Sequence, residues 1–400
     1  MKILQLSNKM PYPPKDGGCL GIHNFSMGLV NAGHSLKIIA INTPKHFTNT
    51  KFLPSDYLEK TNIEGVFVNT DVKIFSAFLN LFSSKSYNVE RFYSQQVEQK
   101  LIETLSKNKY DIIQLESIFM CPYIDTIRSY SDAKIILRAH NVEHIIWERL
   151  SENTTSVFKK KYLNLLAKRL KNYEINQFNN VDGITTVSLE DLEIIQKLGC
   201  KKPIQHITFA IDIEHLKPET EKPEDMSLFH LGAMDWMPNE EGIKWFIENV
   251  WNKLQQNNSS IKLYIAGRNM PKWLLDIDKK NIFVPGEVDD AVKFMQSKSI
   301  MIVPLISGGG IRVKIIEGMA LGKTIIATSV AAEGIAYENK KNIFIANTPN
   351  EFINAIENLI SNKSLLQKTG ENARYLAEEM YDIKKIIIRL TQFYKQILTL

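Results

Sequence analysis

Residues 300–328, IMIVPLISGGGIRVKIIEGMALGKTIIAT, decide the fold. An apolar run leads into Ser307-Gly308-Gly309-Gly310, an amphipathic segment follows, and Gly322 precedes a second apolar run. Short apolar runs are typical of strands buried on both faces, and a glycine after a helical segment favours the end of the helix. The stretch therefore predicts a strand, a glycine loop, a helix and a second, parallel strand.

Similar apolar runs recur along the chain, separated by segments long enough for helices. In order they are KILQL, LKIIAI, DIIQLE, KIILRAH and GITTVS, then LFHLGAM, KLYIAG, IFVPG, IMIVPL, TIIAT and NIFIA. A charged, proline-containing stretch at residues 213–225, IEHLKPETEKPED, divides them into two series. The predicted fold class is α/β, with two Rossmann-like doubly wound parallel-sheet domains that face each other across a ligand-binding cleft.

The domain boundaries follow from this division. We place the first domain at residues 1–212, the second at 213–380 and a final helix at 381–400. The apolar residues of that helix need a surface to cover, so we expect it to pack back on the first domain. They are Ile386, Ile387, Leu390, Phe393, Ile397 and Leu400.

The composition excludes several classes of protein. Of 400 residues, 44% are hydrophobic and 23% are charged, which is typical of an ordered globular chain. Three widely spaced cysteines, Cys19, Cys121 and Cys200, indicate neither a disulfide framework nor a paired metal-binding motif. With no run of 18 apolar residues and no visible secretion signal, we expect a cytoplasmic protein, at most peripheral on the inner face of the membrane. A net charge of +5 is too small for a dedicated nucleic-acid binder.

The glycine loop is suited to a nucleotide diphosphate. Backbone N–H groups at Gly309 and Gly310 approach an anion closely, and a helix N-terminus favours phosphate. At about 100° per residue, Lys314 and Glu317 fall on the same helical face as Gly310. Lys314 could neutralise a phosphate, and Glu317 could accept two hydrogen bonds from a ribose diol. The alternative is an ordinary exposed Lys/Glu pair.

A second glycine pair lies near the start of the chain, in Asp16-Gly17-Gly18, between a predicted strand and a helix that we expect to begin near Cys19. By the same argument, Gly17 and Gly18 are candidates for a diphosphate or acceptor contact, and the alternative is a flexible turn. The loop lacks the G-x-G-x-x-G pattern, which argues against an NAD-dependent dehydrogenase.

A polar cluster follows the strand in LRAHNVEHIIWER. Strand ends in α/β sheets point to the ligand, so Arg138, Asn141 and Glu143 are acceptor-side candidates and His140 is a catalytic candidate. The alternative for His140 is a loop histidine with a structural partner. His140 and His144 could together ligate a metal, but no third ligand is evident and we predict no metal site.

These residues together resemble the retaining family-4 glycosyltransferases, whose fold is called GT-B. That family carries a Glu-x7-Glu signature, typically EGFGxxxxEAMA, and GGGIRVKIIEGMA here has Gly309 in the first acidic position and Glu317 in the second. The likeness extends through Asp16-Gly17-Gly18, His140, VSLED, HLGAMDWMPNEEG and VPGEVDD. It implies that Glu317 holds the donor ribose, while amides of Gly309 and Gly310 replace the first acid.

The resemblance also implies roles for other residues. Relatives often carry an arginine after the glycine of LFHLGAM, but Ala233 follows Gly232 here, so we assign the diphosphate to Arg312 and Lys314. His140 matches the histidine beside the donor sugar, where a neutral imidazole can hydrogen-bond a hydroxyl.

The same resemblance assigns the nucleobase to the VPGEVDD loop. Backbone groups of Gly286, Glu287 and Val288 are the candidates, and the alternative is a plain β-turn in which Asp289 or Asp290 caps the next helix.

The expected activity is transfer of a sugar from a UDP- or GDP-linked donor to a hydroxyl of a glycan, lipid-linked or polysaccharide-precursor acceptor, with retention of configuration. No cofactor and no metal are expected, and His140, Arg312 and Lys314 are the expected catalytic residues. Two alternatives stay open: a nucleotide-sugar epimerase of the same fold, and a catalytically inactive nucleotide- or sugar-binding protein.

A basic segment at residues 158–171, FKKKYLNLLAKRLK, has apolar residues at helical spacing. It could rest on anionic lipid as a peripheral membrane contact. A solvated helix face is the favoured alternative.

Overall fold

The computed structural model describes residues 1–73, 75, 79–219 and 223–400. The chain forms two compact units, Met1–Ala210 with Ile383–Leu400 and Ile211–Asp382. The sequence-based boundaries, after residues 212 and 380, lie near these positions. Residues 220–222 of the predicted linker lie outside the described residues.

The first unit is built on a seven-stranded parallel sheet with the order β3-β2-β1-β4-β5-β6-β7. Its strands are β1 (Lys2–Ser7), β2 (Ser35–Asn42), β3 (Glu64–Phe67), β4 (Ile112–Glu116), β5 (Lys134–Ala139), β6 (Gly183–Thr186) and β7 (Ile204–His206). The strand order reverses between β1 and β4. In doubly wound sheets ligands bind at the carboxyl ends of the strands at such a point.

Helices cover the sheet of the first unit. In its described part they are α1 (Gly17–Asn31), α2 (Ser55–Thr61), α3 (Tyr87–Glu90), α4 (Gln95–Lys107), α5 (Ile124–Tyr130), α6 (Glu143–Glu152), α7 (Val157–Asn180) and α8 (Leu189–Lys197). Short 3-10 segments lie at Thr50–Phe52 and Ile118–Tyr123.

The second unit is built on a six-stranded parallel sheet with the order β10-β9-β8-β11-β12-β13. Its strands are β8 (Glu224–Leu231), β9 (Lys262–Ala266), β10 (Ile282–Gly286), β11 (Lys298–Val303), β12 (Thr324–Ala327) and β13 (Phe344–Ile345). Its helices are α9 (Met237–Phe246), α10 (Asn252–Asn257), α11 (Lys272–Leu275), α12 (Ala291–Gln296), α13 (Val313–Ala320), α14 (Pro349–Ser361) and α15 (Lys363–Met380), with a π-helical turn at Ile247–Trp251. The order reverses between β8 and β11, so the glycine loop after β11 lies at the expected ligand position.

The two parallel sheets confirm the predicted fold class, and most predicted runs are buried strands. β4 and β6 are buried at every position, as expected for strands covered on both faces. The run IFVPG behaves differently, because β10 is an edge strand with alternating exposure and Phe283 faces solvent. The run NIFIA contributes only Phe344–Ile345. The edge strands β3 and β7 lack long apolar runs and were not predicted.

The final helix, α16 (Ile383–Leu398), belongs to the first unit and packs on α1. Five of its six predicted apolar residues are buried, each contributing roughly 1.5–3 kcal/mol to folding, whereas Leu400 lies beyond the helix and is exposed. The close approach requires Gly28 on α1, because a Cβ there would lie 2.6 Å from Ile387 Cγ1.

Within the described part of the chain, no helix combines the length and the apolar composition needed to cross a membrane.

Candidate functional site

The glycine loop of the second unit connects β11 to α13 at the carboxyl end of the sheet. Gly308 and Gly310 have φ values of +112° and +83°, which residues with a Cβ rarely adopt. Ser307 Oγ donates to Glu241 Oε2 at 2.8 Å and so ties the loop to α9. The helix begins at Val313, later than predicted, so Gly310 lies in the loop and only Lys314 and Glu317 share a helical face.

Arg312 lies folded into this loop. Its Nη1 donates to the carbonyl oxygens of Gly309 and Gly310, and its guanidinium carbon lies 5.0 Å from the ring centre of Trp236. Nε and Nη2 are buried and have no hydrogen-bond partner within the described residues. Burial lowers the pKa of Arg312. These two buried nitrogens carry three N–H groups without partners, which is costly, and an anion bound at the loop would give them acceptors.

Glu317, on α13, also has a buried polar atom without a hydrogen-bond partner in the described chain. Its side chain is only 15% exposed, and Lys314 Nζ lies 3.1 Å from its Oε2. That contact has the distance of an ion pair but not the angles of a hydrogen bond, so the buried Oε2 has no hydrogen-bond partner in the described chain. The pair is therefore not the fully exposed one of the alternative interpretation, because the carboxylate is mostly buried and its Oε2 accepts no hydrogen bond from the described chain.

The candidate base-binding segment lies at the end of β10. Gly286 has φ +77° and its carbonyl accepts from Gly267 N at 2.8 Å, while Glu287 is exposed and Val288 is half-buried. Asp290 accepts from the amides of residues 292 and 293, both at 3.0 Å, and caps α12. The helix cap by Asp290, which the plain β-turn alternative includes, is thus present. A contact between this loop and a base stays a prediction.

One histidine of the second unit was not predicted as a site residue. His230 lies at the end of β8, and its Nδ1 donates to the carbonyl of Ile302 at 3.1 Å, while its buried Nε2 has no partner among the described residues. Burial lowers the pKa of His230 to about 4, so the ring is neutral. A Cβ at Gly232 would lie 3.0 Å from that Nε2. A histidine at the end of an apolar run is the same signal that indicated His140.

In the first unit, Gly17 and Gly18 form the first turn of α1, which begins two residues before the predicted start. Asp16 caps the helix by accepting from Cys19 N at 2.7 Å. A Cβ at Gly18 would lie 2.5 Å from Lys9 Nζ, so an ammonium group lies directly over this turn. Lys9, which follows β1, was not predicted as a site residue.

Asp16 is also the centre of a polar cluster. His46 Nε2 lies 2.8 Å and Lys9 Nζ 3.4 Å from its carboxylate. Burial alone would raise the pKa of Asp16, but the His46 hydrogen bond and the Lys9 charge hold it well below its ordinary value. Ligand atoms of Asp16, Cys19 and His46 lie within 4.8 Å of one another, a set that could hold zinc. The Lys9 charge opposes a cation there, and burial raises the pKa of Cys19 to about 11, which disfavours the thiolate.

His140 follows β5 and is held by a buried carboxylate that the sequence analysis missed. Its Nε2 lies 2.7 Å from Glu116 Oε2, and Arg138 Nη1 donates to the same oxygen at 3.0 Å. Arg138 is 1% exposed and stacks on the Phe25 ring at 3.7 Å. The Arg138 guanidinium is therefore enclosed and supports Glu116, and the predicted acceptor contact of Arg138 stays a prediction.

Asn141 and Glu143 lie half-buried beside this group. Asn141 Nδ2 lies 3.4 Å from Glu143 Oε1, while Glu174 accepts from the backbone amides of Glu143 and His144 and from His144 Nδ1 at 2.6 Å. Burial, together with the Glu174 charge, raises the pKa of Glu143 to about 7. His144 and His140 thus have separate carboxylate partners and do not form a shared pair.

The structure brings the predicted residues of each unit together. In the first unit the Lys9 charge acts on Asp16, His140 and Glu143, so Gly17, Gly18 and the residues after β5 share one end of the sheet. In the second unit Gly309, Gly310, Arg312, Lys314 and Glu317 form one group, and Gly286, Glu287 and Val288 lie at another strand end of the same sheet.

Residues 226–362 match the family model described as glycosyl transferases group 1. An uncharacterised 44.6 kDa protein from the cps region of Klebsiella pneumoniae is 26% identical over 404 residues, covering 96% of this chain and 97% of that protein. An uncharacterised glycosyltransferase of Methanocaldococcus jannaschii is 24% identical over 254 residues, or 60% of each chain. HepE of Anabaena in complex with UDP has a TM-score of 0.68 at 13% identity, with 99% of this chain and 100% of that chain covered.

The likeness to solved structures agrees with the predicted GT-B class of two Rossmann-like units. The range matched by the family model contains every donor-side residue that was predicted in the second unit, from Gly286 to Glu317.

Proposed function

We propose that this protein is a glycosyltransferase that moves a hexose from a nucleotide-sugar donor to an acceptor hydroxyl with retention of configuration. One observation carries the proposal. Beside a glycine loop at the switch point of the second sheet, Arg312 offers buried N–H donors and Glu317 a buried acceptor, all without hydrogen-bond partners in the described residues. A diphosphate followed by a ribose diol offers the acceptors and donors that these groups need.

The glycine loop acts on the leaving group. Backbone amides of Gly309 and Gly310, the Arg312 guanidinium and the Lys314 ammonium stabilise the negative charge that develops on the departing diphosphate. Arg312 keeps Nη1 on the carbonyls of Gly309 and Gly310 and offers Nε and Nη2 to the phosphate. Glu317 holds the ribose and contributes to binding more than to the chemical step.

The first unit supplies contacts for the sugar and the acceptor. Burial and the Arg138 charge lower the pKa of His140, so its imidazole is neutral and orients a sugar hydroxyl. Gly17 and Gly18 offer amides at the start of α1, under the Lys9 ammonium. Asn141 and Glu143 are the acceptor-side candidates that the structure leaves accessible.

The relatives support a class of donor and a class of acceptor. HepE has been crystallised with UDP and with UDP-glucose, which supports a UDP-linked hexose donor here. The Klebsiella relative comes from a cps region, which supports a glycan, lipid-linked or polysaccharide-precursor acceptor. No cofactor besides the nucleotide sugar and no metal enter this proposal.

A peripheral membrane contact on the cytoplasmic side is part of the proposal. Most of the apolar stripe of the basic segment is buried in the first unit, at Leu163, Leu166, Ala167 and Leu170, as the solvated-face alternative requires. Phe158, however, is 87% exposed beside the exposed lysines 159–161. An exposed aromatic ring next to lysines suits an anionic lipid surface, which sedimentation with phosphatidylglycerol vesicles would test.

Product analysis tests the proposed activity. The wild-type protein is incubated with UDP-linked hexoses, alone and with a glycan and lipid-linked glycan extract of the producing cells. We expect UDP release and a new glycoside with the anomeric configuration of the donor. An epimerised donor formed without acceptor would indicate the epimerase, and nucleotide binding without UDP release would indicate an inactive binding protein.

A further inference from the structure

Glu116 is buried at the end of β4, and its carboxylate accepts hydrogen bonds from four side chains. His140 Nε2 and Arg138 Nη1 contact one oxygen, while Gln5 Nε2, at 3.1 Å, and Gln114 Nε2 contact the other. A carboxylate has room for about four such donors, so this acceptor is saturated. Four donors around one buried carboxylate stabilise its charged form.

Each of the two amides lies next to a hydroxyl group. Tyr394 on α16 donates to Gln114 Oε1, and Ser26 Oγ on α1 lies 2.9 Å from Gln5 Oε1. The Tyr394 hydroxyl holds the Gln114 oxygen, so the NH2 group of Gln114 points at Glu116. The single Ser26 proton is shared between Gln5 Oε1 and the carbonyl of Ile22, 2.8 Å away. A hydrogen-bond chain thus runs from Tyr394 through Gln114 and Glu116 to His140, entirely within the first unit.

This arrangement decides where the imidazole proton lies. Burial alone would raise the pKa of Glu116, but the Arg138 charge and the His140 hydrogen bond lower it, so the carboxylate has no proton to donate. The bond to His140 therefore requires an N–H at Nε2. A neutral imidazole with its proton on Nε2 keeps a lone pair on Nδ1, for which no protein partner is found in the described residues.

We propose that Glu116, held by the Tyr394–Gln114 pair, by Gln5 and by Arg138, is a positioning residue that fixes His140 as the Nε2–H tautomer and presents Nδ1 to substrate as a hydrogen-bond acceptor. The contact of Nδ1 with substrate, unlike the tautomer, rests on the proposed transferase function, in which Nδ1 accepts from a sugar hydroxyl. The terminal helix α16 thereby contributes to the site through Tyr394.

The tautomer is measurable without substrate. Long-range proton–nitrogen NMR spectra of wild-type protein labelled with 15N-histidine distinguish the two nitrogens of each ring, and His140→Gln identifies the His140 signals. We expect a protonated Nε2 and an unprotonated Nδ1 at neutral pH. A proton on Nδ1, or a mixture of tautomers, would overturn the proposal whether or not the protein transfers sugar.

Kinetic variants test the consequence. By analogy with other residues that orient a functional histidine, Glu116→Gln should lower kcat about 10- to 100-fold with little change in KM. The double variant with His140→Gln should be no slower than His140→Gln alone, because both changes remove one function. Multiplying losses would contradict the proposal, since a merely structural role predicts independent effects.

Two further variants keep the test decisive. Tyr394→Phe removes only the distal hydroxyl and should lower kcat about 2- to 10-fold even if Glu116→Gln does not fold. Glu98→Gln is the matched control, because Glu98 also accepts two hydrogen bonds, from Tyr93 and Thr126, but away from His140. The two failures can be separated. If neither the wild type nor any variant turns over a donor, the proposed function fails. If His140 is then still the Nε2–H tautomer, the positioning role of Glu116 remains.

Discussion

Glu143 is a half-buried carboxyl group whose surroundings disfavour its charge, because it is partly removed from solvent and lies close to the charge of Glu174. Its pKa is raised to about 7 from an ordinary 4.5. Between these pH values the folded protein holds a proton that the unfolded chain has lost, so stability falls as the pH rises through this window. The shift corresponds to about 3 kcal/mol at most.

We therefore expect Glu143→Gln to flatten the pH dependence of stability. Urea unfolding at pH 5 and pH 8 should show wild-type protein losing about 2–3 kcal/mol more than the variant. Glu103→Gln, a change at an exposed carboxylate on α4, serves as the control and should keep the wild-type slope. Equal slopes for wild type and Glu143→Gln would contradict the assignment of a raised pKa.

Single residues were predictable where they lie in motifs. The glycine loop indicated Glu317, and the end of an apolar run indicated His140. Glu116 was missed because it is the last letter of the run DIIQLE and looked like part of a strand. Its pairing with Arg138 depends on strand register, since the two residues are directly opposite on β4 and β5. Two opposite charges, each in a run of buried apolar residues, are the signal that could have found the pair.

At the scale of elements, the contact between α1 and α16 depends on Gly28. A Cβ there would lie 2.6–2.9 Å from side-chain atoms of Ile383 and Ile387. Gly28→Ala should therefore destabilise the protein by about 1–3 kcal/mol through overpacking, despite the better helix propensity of alanine. Chemical denaturation measures the change. Asn31→Ala, at the exposed end of the same helix, should shift stability by less than about 0.5 kcal/mol, and equal effects of the two changes would refute the packing argument.

Elements were predictable where burial dictates the pattern. Strands covered on both faces appear as apolar runs, so the central strands β1, β4 and β11 were predicted from these runs alone. Edge strands such as β3 and β7 bury less surface and have weaker patterns. The start of α13 was misplaced because Gly308 and Gly310 adopt positive φ values, which apolar periodicity does not encode.

At the scale of the whole molecule, apolar alternation was enough to predict two doubly wound units, because each βαβ series must build its own parallel sheet. In both sheets the strand order reverses at a central pair, β1 with β4 and β8 with β11. Except for Gly286, Glu287 and Val288 after the edge strand β10, the candidate residues follow these strands or their neighbours, so most of the polar candidates lie near the two switch points. The sequence alone could not indicate the polar contacts inside each unit, because these contacts depend on strand register and helix packing.

The central claim is that the glycine loop of the second unit binds the nucleotide of a sugar donor. Calorimetric titration of UDP, GDP and ADP into the wild-type protein, Glu317→Ala and Glu338→Ala tests it most directly. Glu338 also pairs with a lysine three residues on, Lys341, but is exposed and distant in sequence from the loop, so it is a matched control. We predict that UDP binds the wild type and Glu338→Ala equally and binds Glu317→Ala at least about 10-fold more weakly, the loss of a charge-assisted hydrogen bond. Binding of no nucleotide to the wild type, or equal binding to all three proteins, would contradict the account.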